Sequence, residues 1–363
     1  MTAPRRVLMT ADTIGGVWTY ALELAGALAG GGTRVLLATM GRPLSSWQRA
    51  AAAGIEELSV CESDHRLEWM DDPWEDVACA GRWLLELEAE FEPDIVHLNG
   101  YAHGSLPWRS PVVIAGHSCV LSWWRAVKGE SAPAAWNRYR QQVKYGLACA
   151  DLVVAPSGHM LAVLNRHYGP LRRACVIPNG RDVTAFAPRE KAPYLFSAGR
   201  LWDDAKNVGS LEEVAPGLPW PLYVAGDATH PNGLSCAYQH VRALGVLPPA
   251  ELAAWLEYAS IFVLPARYEP FGQSALEAAM AGCALVLGDI PSLRELWDEA
   301  AVFVPPEDTE ALRRALQELI ADDERRSRLG RAALTRSREY SLERMSSRYA
   351  EAYRMLMSQP VPA

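Results

Sequence analysis

Residues 261–289 read IFVLPARYEPFGQSALEAAMAGCALVLGD. Two apolar runs, IFVLPAR and ALVLGD, flank SALEAAMAG, a stretch of strong helix formers. Neither run alternates apolar with polar residues, so both predict strands covered on both faces. A strand, a helix and a second strand in this order predict parallel pairing in a doubly wound sheet. Gly272 supplies the tight turn, and Gln273 or Ser274 starts the helix.

The same rhythm extends outward in both directions. RVLMT, RVLLATM, DIVHLNG, PVVIAGHS, DLVVAPS and ACVIPNG predict buried strands in the first half, and YLFSAGR, PLYVAGD and AVFVPPE in the second. It breaks at residues 178–193, PNGRDVTAFAPREKAP, where three prolines and a glycine predict an inter-domain connection. With 363 residues, two domains are expected, dividing near Asp182 into residues 1–182 and 183–340. The final stretch places Met345, Tyr349, Tyr353 and Leu356 on one helical face, which must pack on something.

Half of the residues are hydrophobic and a fifth charged, as in soluble globular proteins. The formal net charge of -8 argues against a nucleic-acid partner held through phosphates. The N-terminus has no apolar segment of signal-peptide length, and no run reaches the roughly 18 apolar residues that span a bilayer. Seven scattered cysteines, none spaced C-x-x-C, give little support to a zinc site or a disulfide framework, so a reducing cytoplasmic compartment is expected.

Two stretches carry candidate chemistry. In the opening one, the helix start offers free backbone N–H groups and the positive end of a dipole, an anion site at the carboxyl end of a strand. Glu269 lies on the loop before it and Glu277 one turn inside. Glu277 suits a pair of ribose hydroxyls, although a first-turn carboxylate is also an ordinary dipole partner. The second stretch is SAGRLWDDAKN, residues 197–207, where a strand delivers Gly199, Arg200 and then Lys206. Two cations near one strand end suit a diphosphate, and are also common solvated loop residues.

Gly-Arg-Leu…Lys, followed about sixty residues on by Tyr-Glu-Pro-Phe-Gly…Glu, resembles the family 4 retaining glycosyltransferases of the GT-B type. ADTIGGVWTYALELAGALAG (residues 11–30) resembles that family's Gly-Gly loop and first helix, and PNGRDVTAF (178–186) its linker. The resemblance implies two Rossmann-like domains facing across a cleft, with the C-terminal helix, 341–358, returning to the N-terminal domain. It implies a nucleotide-sugar donor held mainly by the second domain, an acceptor on the first, and no bound metal or other cofactor.

Carried over residue by residue, Arg200 and Lys206 neutralise the diphosphate in place of a divalent cation. Glu277 holds the ribose. Glu269 and the turn Phe271, Gly272, Gln273 and Ser274 hold the sugar and the distal phosphate. Gly15 and Gly16 allow backbone to approach a phosphate, and His117, ending PVVIAGHS, lies beside the transferred sugar. HVRALGVLPPAEL (240–252) resembles the base-binding segment, with backbone near Gly245 and Val246 reading the base. His97 reads as core.

Three positions depart from the family pattern: Asn207 where Gly is commoner, Gln273 where an apolar residue is commoner, and Arg181 in place of a small apolar linker residue. Gln273 is the expected local handle on donor choice. For the acceptor, Asn99, Tyr101 and His103 are candidates, as are the rings of Trp123 and Trp124, which equally fit a core. The helix AWNRYRQQVKYGLACA, with Arg138, Arg140 and Lys144, could touch anionic lipid or simply cover the sheet. The expected activity is hexosyl transfer from a UDP-sugar such as UDP-glucose, with GDP-mannose next, to a hydroxyl of a saccharide, lipid-linked or small-molecule acceptor. The alternatives are a non-catalytic nucleotide-sugar-binding protein or a GT-B epimerase. A dinucleotide oxidoreductase would want G-x-G-x-x-G, which TADTIGGVWTYA lacks.

Overall fold

The computed structural model describes residues 3–358. The chain forms two compact units. The first comprises the N-terminal residues to Trp124, Glu130–Gly180 and the segment from Leu342 onward; the second comprises Arg125–Gly129 and Arg181–Ser341.

In the first unit the strands are β1 (Arg6–Asp12), β2 (Arg34–Met40), β3 (Leu58–Glu62), β4 (Ile95–Leu98), β5 (Val112–Ala115), β6 (Leu152–Ala155) and β7 (Ala174–Val176). They form one parallel sheet in the order β3-β2-β1-β4-β5-β6-β7. The second unit holds β8 (Ala192–Ala198), β9 (Leu222–Ala225), β10 (Arg242–Ala243), β11 (Ala259–Leu264), β12 (Ala284–Gly288) and β13 (Ala301–Val304). Their order, β10-β9-β8-β11-β12-β13, is also parallel throughout. Both sheets are therefore Rossmann-like, and the winding reverses between β1 and β4 in one and between β8 and β11 in the other. Ligands of such sheets bind outside the strand carboxyl ends at that reversal.

The non-alternating apolar runs are buried on both faces: every residue of β4, β5, β6, β11 and β12 lies in the interior. The helix Gln273–Met280 starts after Gly272, whose φ of 87° lies in the left-handed region that glycine adopts without Cβ strain. Its last turn is tied by the half-buried Lys191, whose ammonium donates to the carbonyls of Ala281 (2.6 Å) and Glu257 (2.8 Å), at the carboxyl ends of two helices.

The C-terminal helix Leu342–Met357 buries Met345, Tyr349, Ala352, Tyr353 and Leu356 in the core of the first unit, alongside helix Gly16–Gly30. Met345, Tyr349, Tyr353 and Leu356 are the face legible in the sequence. His97, on β4, is fully buried and stitched to this helix: its Nδ1 lies 2.5 Å from the Tyr353 hydroxyl and its Nε2 3.3 Å from that of Tyr20. None of the seven cysteines forms a disulfide. Among the described residues no helix is long and apolar enough to cross a membrane.

Candidate functional site

In the second unit the predicted residues gather on the loops that follow β8 and β11, the two strands at the reversal. Arg200 and Lys206 follow β8; Glu269 to Ser274 follow β11. Lys206 and Glu269, 63 positions apart, form a partly buried ion pair through the ammonium and Oε2. The other oxygen, Oε1, accepts the Gly272 N–H at 3.0 Å, and the Ser292 hydroxyl donates to the Glu269 carbonyl at 2.5 Å. Glu269 thus shapes the turn that starts the helix. An ammonium carries three donors and each carboxylate oxygen two acceptor sites, so both groups retain capacity for a ligand.

Arg200 is aimed by Asp203, whose Oδ2 accepts from its Nη2 at 2.7 Å while Oδ1 accepts the Ala205 N–H at 3.0 Å. The guanidinium also lies 5.3 Å from the centre of the Trp202 ring. Asp203 was not anticipated, although its position three residues after Arg200 was visible. Gly199 lies beneath the Lys206 stem: a Cβ there would touch its carbons at 3.5 Å. Asn207 has φ 56°, a left-handed conformation that asparagine tolerates better than most residues. Its side chain donates to the carbonyls of Pro265 (3.0 Å) and Pro306 (2.8 Å), fixing the loop.

Phe271 is buried in the core against Tyr340, so only its backbone is offered to a ligand. Gln273 is the unusual member of the turn. Both polar atoms of its side chain are hidden from water, and neither has a hydrogen-bond partner among the described residues. Ser274 is partly exposed. Glu277 is buried and ion-paired with Arg181 at 3.1 Å, a partner that spacing alone does not reveal. Val246 stands exposed beyond Gly245, whose carbonyl accepts the Gly226 N–H at 2.8 Å.

In the first unit the corresponding reversal carries Gly15 and Gly16 after β1. Gly15 has φ 102° and precedes the helix that Gly16 begins. The Asp12 carboxylate accepts the Ile14 N–H at 2.6 Å and holds this turn. His117 follows β5, partly buried, with Nε2 2.8 Å from Oδ1 of Asn99 and its ring edge-on to Tyr20 at 4.4 Å. Burial pushes its pKa down to about 4, so the imidazole is neutral at physiological pH.

Tyr101 and His103, the candidates for the acceptor side, are both buried. The Tyr101 hydroxyl donates to the Ser118 carbonyl (2.7 Å), and His103 Nε2 lies 3.0 Å from the Val77 carbonyl. Their loop sits so close to helix Asn137–Cys149 that a Cβ on Gly146 would fall 1.8 Å from the Tyr101 carbonyl oxygen. The Glu68 carboxylate, unmarked by any motif, accepts the N–H groups of Tyr101 (3.1 Å) and Ala102 (2.6 Å), and burial raises its pKa. Trp123 and Trp124 are partly exposed, their rings edge-on at 5.9 Å, with Trp124 resting on the core. Arg138, Arg140 and Lys144 are exposed on their helix.

Residues 14–185 match the family described as Glycosyltransferase Family 4, and residues 181–336 match Glycosyl transferases group 1. The chain carries both domains of a family 4 glycosyltransferase. The chain is 29% identical over 390 residues to the D-inositol 3-phosphate glycosyltransferase of Xylanimonas cellulosilytica, covering 93% of this chain and 91% of that one. It is 31% identical over 225 residues to the glycogen synthase of Mycobacterium tuberculosis, covering 56% of this chain and about half, 54%, of that relative. Among solved structures, the Anabaena protein HepE in complex with UDP-glucose superposes with a TM-score of 0.78 at 16% identity, covering 97% of this chain and all of that one. At that identity the likeness is one of fold.

Proposed function

We propose that this glycosyltransferase moves a hexosyl group from a nucleoside-diphosphate sugar to an acceptor hydroxyl, with retention at the anomeric carbon and without a metal ion. A UDP-sugar such as UDP-glucose is the favoured donor, GDP-mannose the next, and the acceptor is a saccharide, a lipid-linked sugar or a small molecule. The observation that carries the reading is the meeting of Lys206 with Glu269 at the sheet reversal, on loops that also bear Arg200 and the helix start at Gln273. Cations beside a free helix N-terminus suit a diphosphate, and a carboxylate adjoining them suits sugar hydroxyls.

In this reading the bond from the anomeric carbon to the diphosphate oxygen breaks as an oxocarbenium-like sugar develops. Negative charge grows on the leaving diphosphate, where Arg200, Lys206 and the helix start at Ser274 stabilise it. The acceptor oxygen bonds the anomeric carbon from the same face, and its proton passes to the departing phosphate oxygen. Glu269 is a poor covalent nucleophile here, because Lys206 and the Gly272 N–H already hold its charge. Glu277 receives the ribose, and backbone near Gly245 and Val246 the base. The HepE complex with UDP-glucose supports a uridine donor.

Two measurements test this. Titration with UDP, GDP and ADP should show UDP binding most tightly, and slow hydrolysis of UDP-glucose in chelator should yield the α-anomer first by proton NMR. Binding of NAD and of no nucleoside diphosphate would overturn the reading.

A further inference from the structure

We infer that Asn99 is a positioning residue that fixes His117 as the Nε2–H tautomer, so that Nδ1 presents a lone pair to a ligand hydroxyl. This rests on the proposed reaction for the identity of the ligand, but the tautomer follows from the protein's own hydrogen bonds. In the parallel pairing of β1 with β4, Met9 lies opposite His97, which brings Thr10 beside the end of β4. The Asn99 side-chain amide donates from Nδ2 to the Thr10 carbonyl at 2.6 Å, and the Asn99 backbone N–H donates to the Thr10 hydroxyl at 2.8 Å.

A backbone carbonyl can only accept, so the amide end facing Thr10 is the NH2 group. Oδ1 therefore faces His117 Nε2, 2.8 Å away. That oxygen too can only accept, so Nε2 carries the proton. In a neutral imidazole the proton on Nε2 leaves Nδ1 as an acceptor. Among the described residues Nδ1 has no hydrogen-bond partner.

The neighbours keep the ring neutral. Tyr20, from the first helix, faces it edge-on, and burial raises that phenol's pKa well above its usual value. His97, on β4, is held down to about 3 by burial. Neither supplies a charge that would stabilise an imidazolium. Asn99 thus acts on a ligand through His117.

The experiment is nitrogen-15 NMR on the uniformly labelled full chain without ligand, with the His117 signals identified by their loss in His117→Gln. At pH 7 a pyrrole-type Nε2 and a pyridine-type Nδ1 are expected; the reverse pattern overturns the inference. In Asn99→Asp the carboxylate should raise the His117 pKa by roughly 1–3 units. The acid limb of donor turnover should move up with it, and an unmoved pKa in a folded variant also overturns the inference. Absence of nucleotide-sugar turnover alongside an Nε2–H tautomer would instead remove the proposed reaction while leaving the positioning intact.

Discussion

Arg181 and Glu277 form an ion pair, Nε to Oε1 3.1 Å, with each side chain a tenth exposed or less. The guanidinium also lies 5.5 Å from the centre of the Phe186 ring, and the Arg181 backbone N–H donates to the Tyr340 carbonyl at 3.2 Å. A charged side chain at a linker position otherwise suited to a small apolar residue thus reaches the carboxylate assigned to the ribose.

Removing one member of such a pair strands the other charge in the interior. Arg181→Leu is expected to cost about 3–5 kcal/mol of unfolding free energy, and the double variant Arg181→Leu with Glu277→Gln markedly less. Urea denaturation of the two single variants and the double reads the coupling; strict additivity would mean that the pair is energetically silent.

Lys206→Met should fold and lose about 10²–10³-fold in turnover, the usual loss for a fixed group facing developing charge. Glu269→Gln should also fold and lose most turnover, because a neutral amide neither holds Lys206 nor accepts sugar hydroxyls as strongly. Steady-state rates of UDP-glucose hydrolysis check both. Near-normal rates for either would remove that residue from the proposed mechanism.

Gln273→Leu should stabilise the fold by about 1–3 kcal/mol, because two shielded polar atoms without partners are replaced by apolar ones. The same substitution should narrow the preference between UDP-glucose and other UDP-hexoses if the amide serves the sugar. Thermal melting with competing donors reads the two effects together. A gain in stability with unchanged donor preference would leave Gln273 without a role in selectivity.

His97 gives a stability effect with a defined sign. Its folded pKa is lowered by burial to about 3, against about 6.5 in the unfolded chain. Below pH 6.5 the unfolded chain takes up a proton that the fold refuses, so stability falls progressively down to about pH 3. At pH 5 the contribution is about 2 kcal/mol. His97→Gln should therefore lose less stability than the parent chain between pH 7 and pH 5, whatever its starting value. Equal slopes would mean that His97 is not held neutral.

Local physics made much of this protein legible. The runs around β11 and β12 could only be doubly covered strands, since a strand with one wet face would alternate. Gly272 marked the turn because the left-handed backbone it adopts suits few other residues, and the face Met345, Tyr349, Tyr353 and Leu356 fixed how the last helix is turned. Arg200, Lys206 and Glu269 were readable as charged residues on loops that end neighbouring strands, and their roles came only from the resemblance to the family.

Side-chain partnership across the sheet was not legible. Thr10 and Asn99 are 89 positions apart and meet only because β1 and β4 are neighbours. Arg181 meets Glu277 across 96 positions of chain. The loop of Tyr101 and His103 packs its backbone against Gly146, 45 and 43 positions on, a contact no local pattern announces. By itself the sequence determined the elements, the two sheets and the loops that hold charge, because those follow from backbone conformation and apolar periodicity. Only the tertiary structure decided which amide orients His117, which cation neutralises Glu277 and which candidates lie inside, because hydrogen bonds and ion pairs depend on distances that strand order sets.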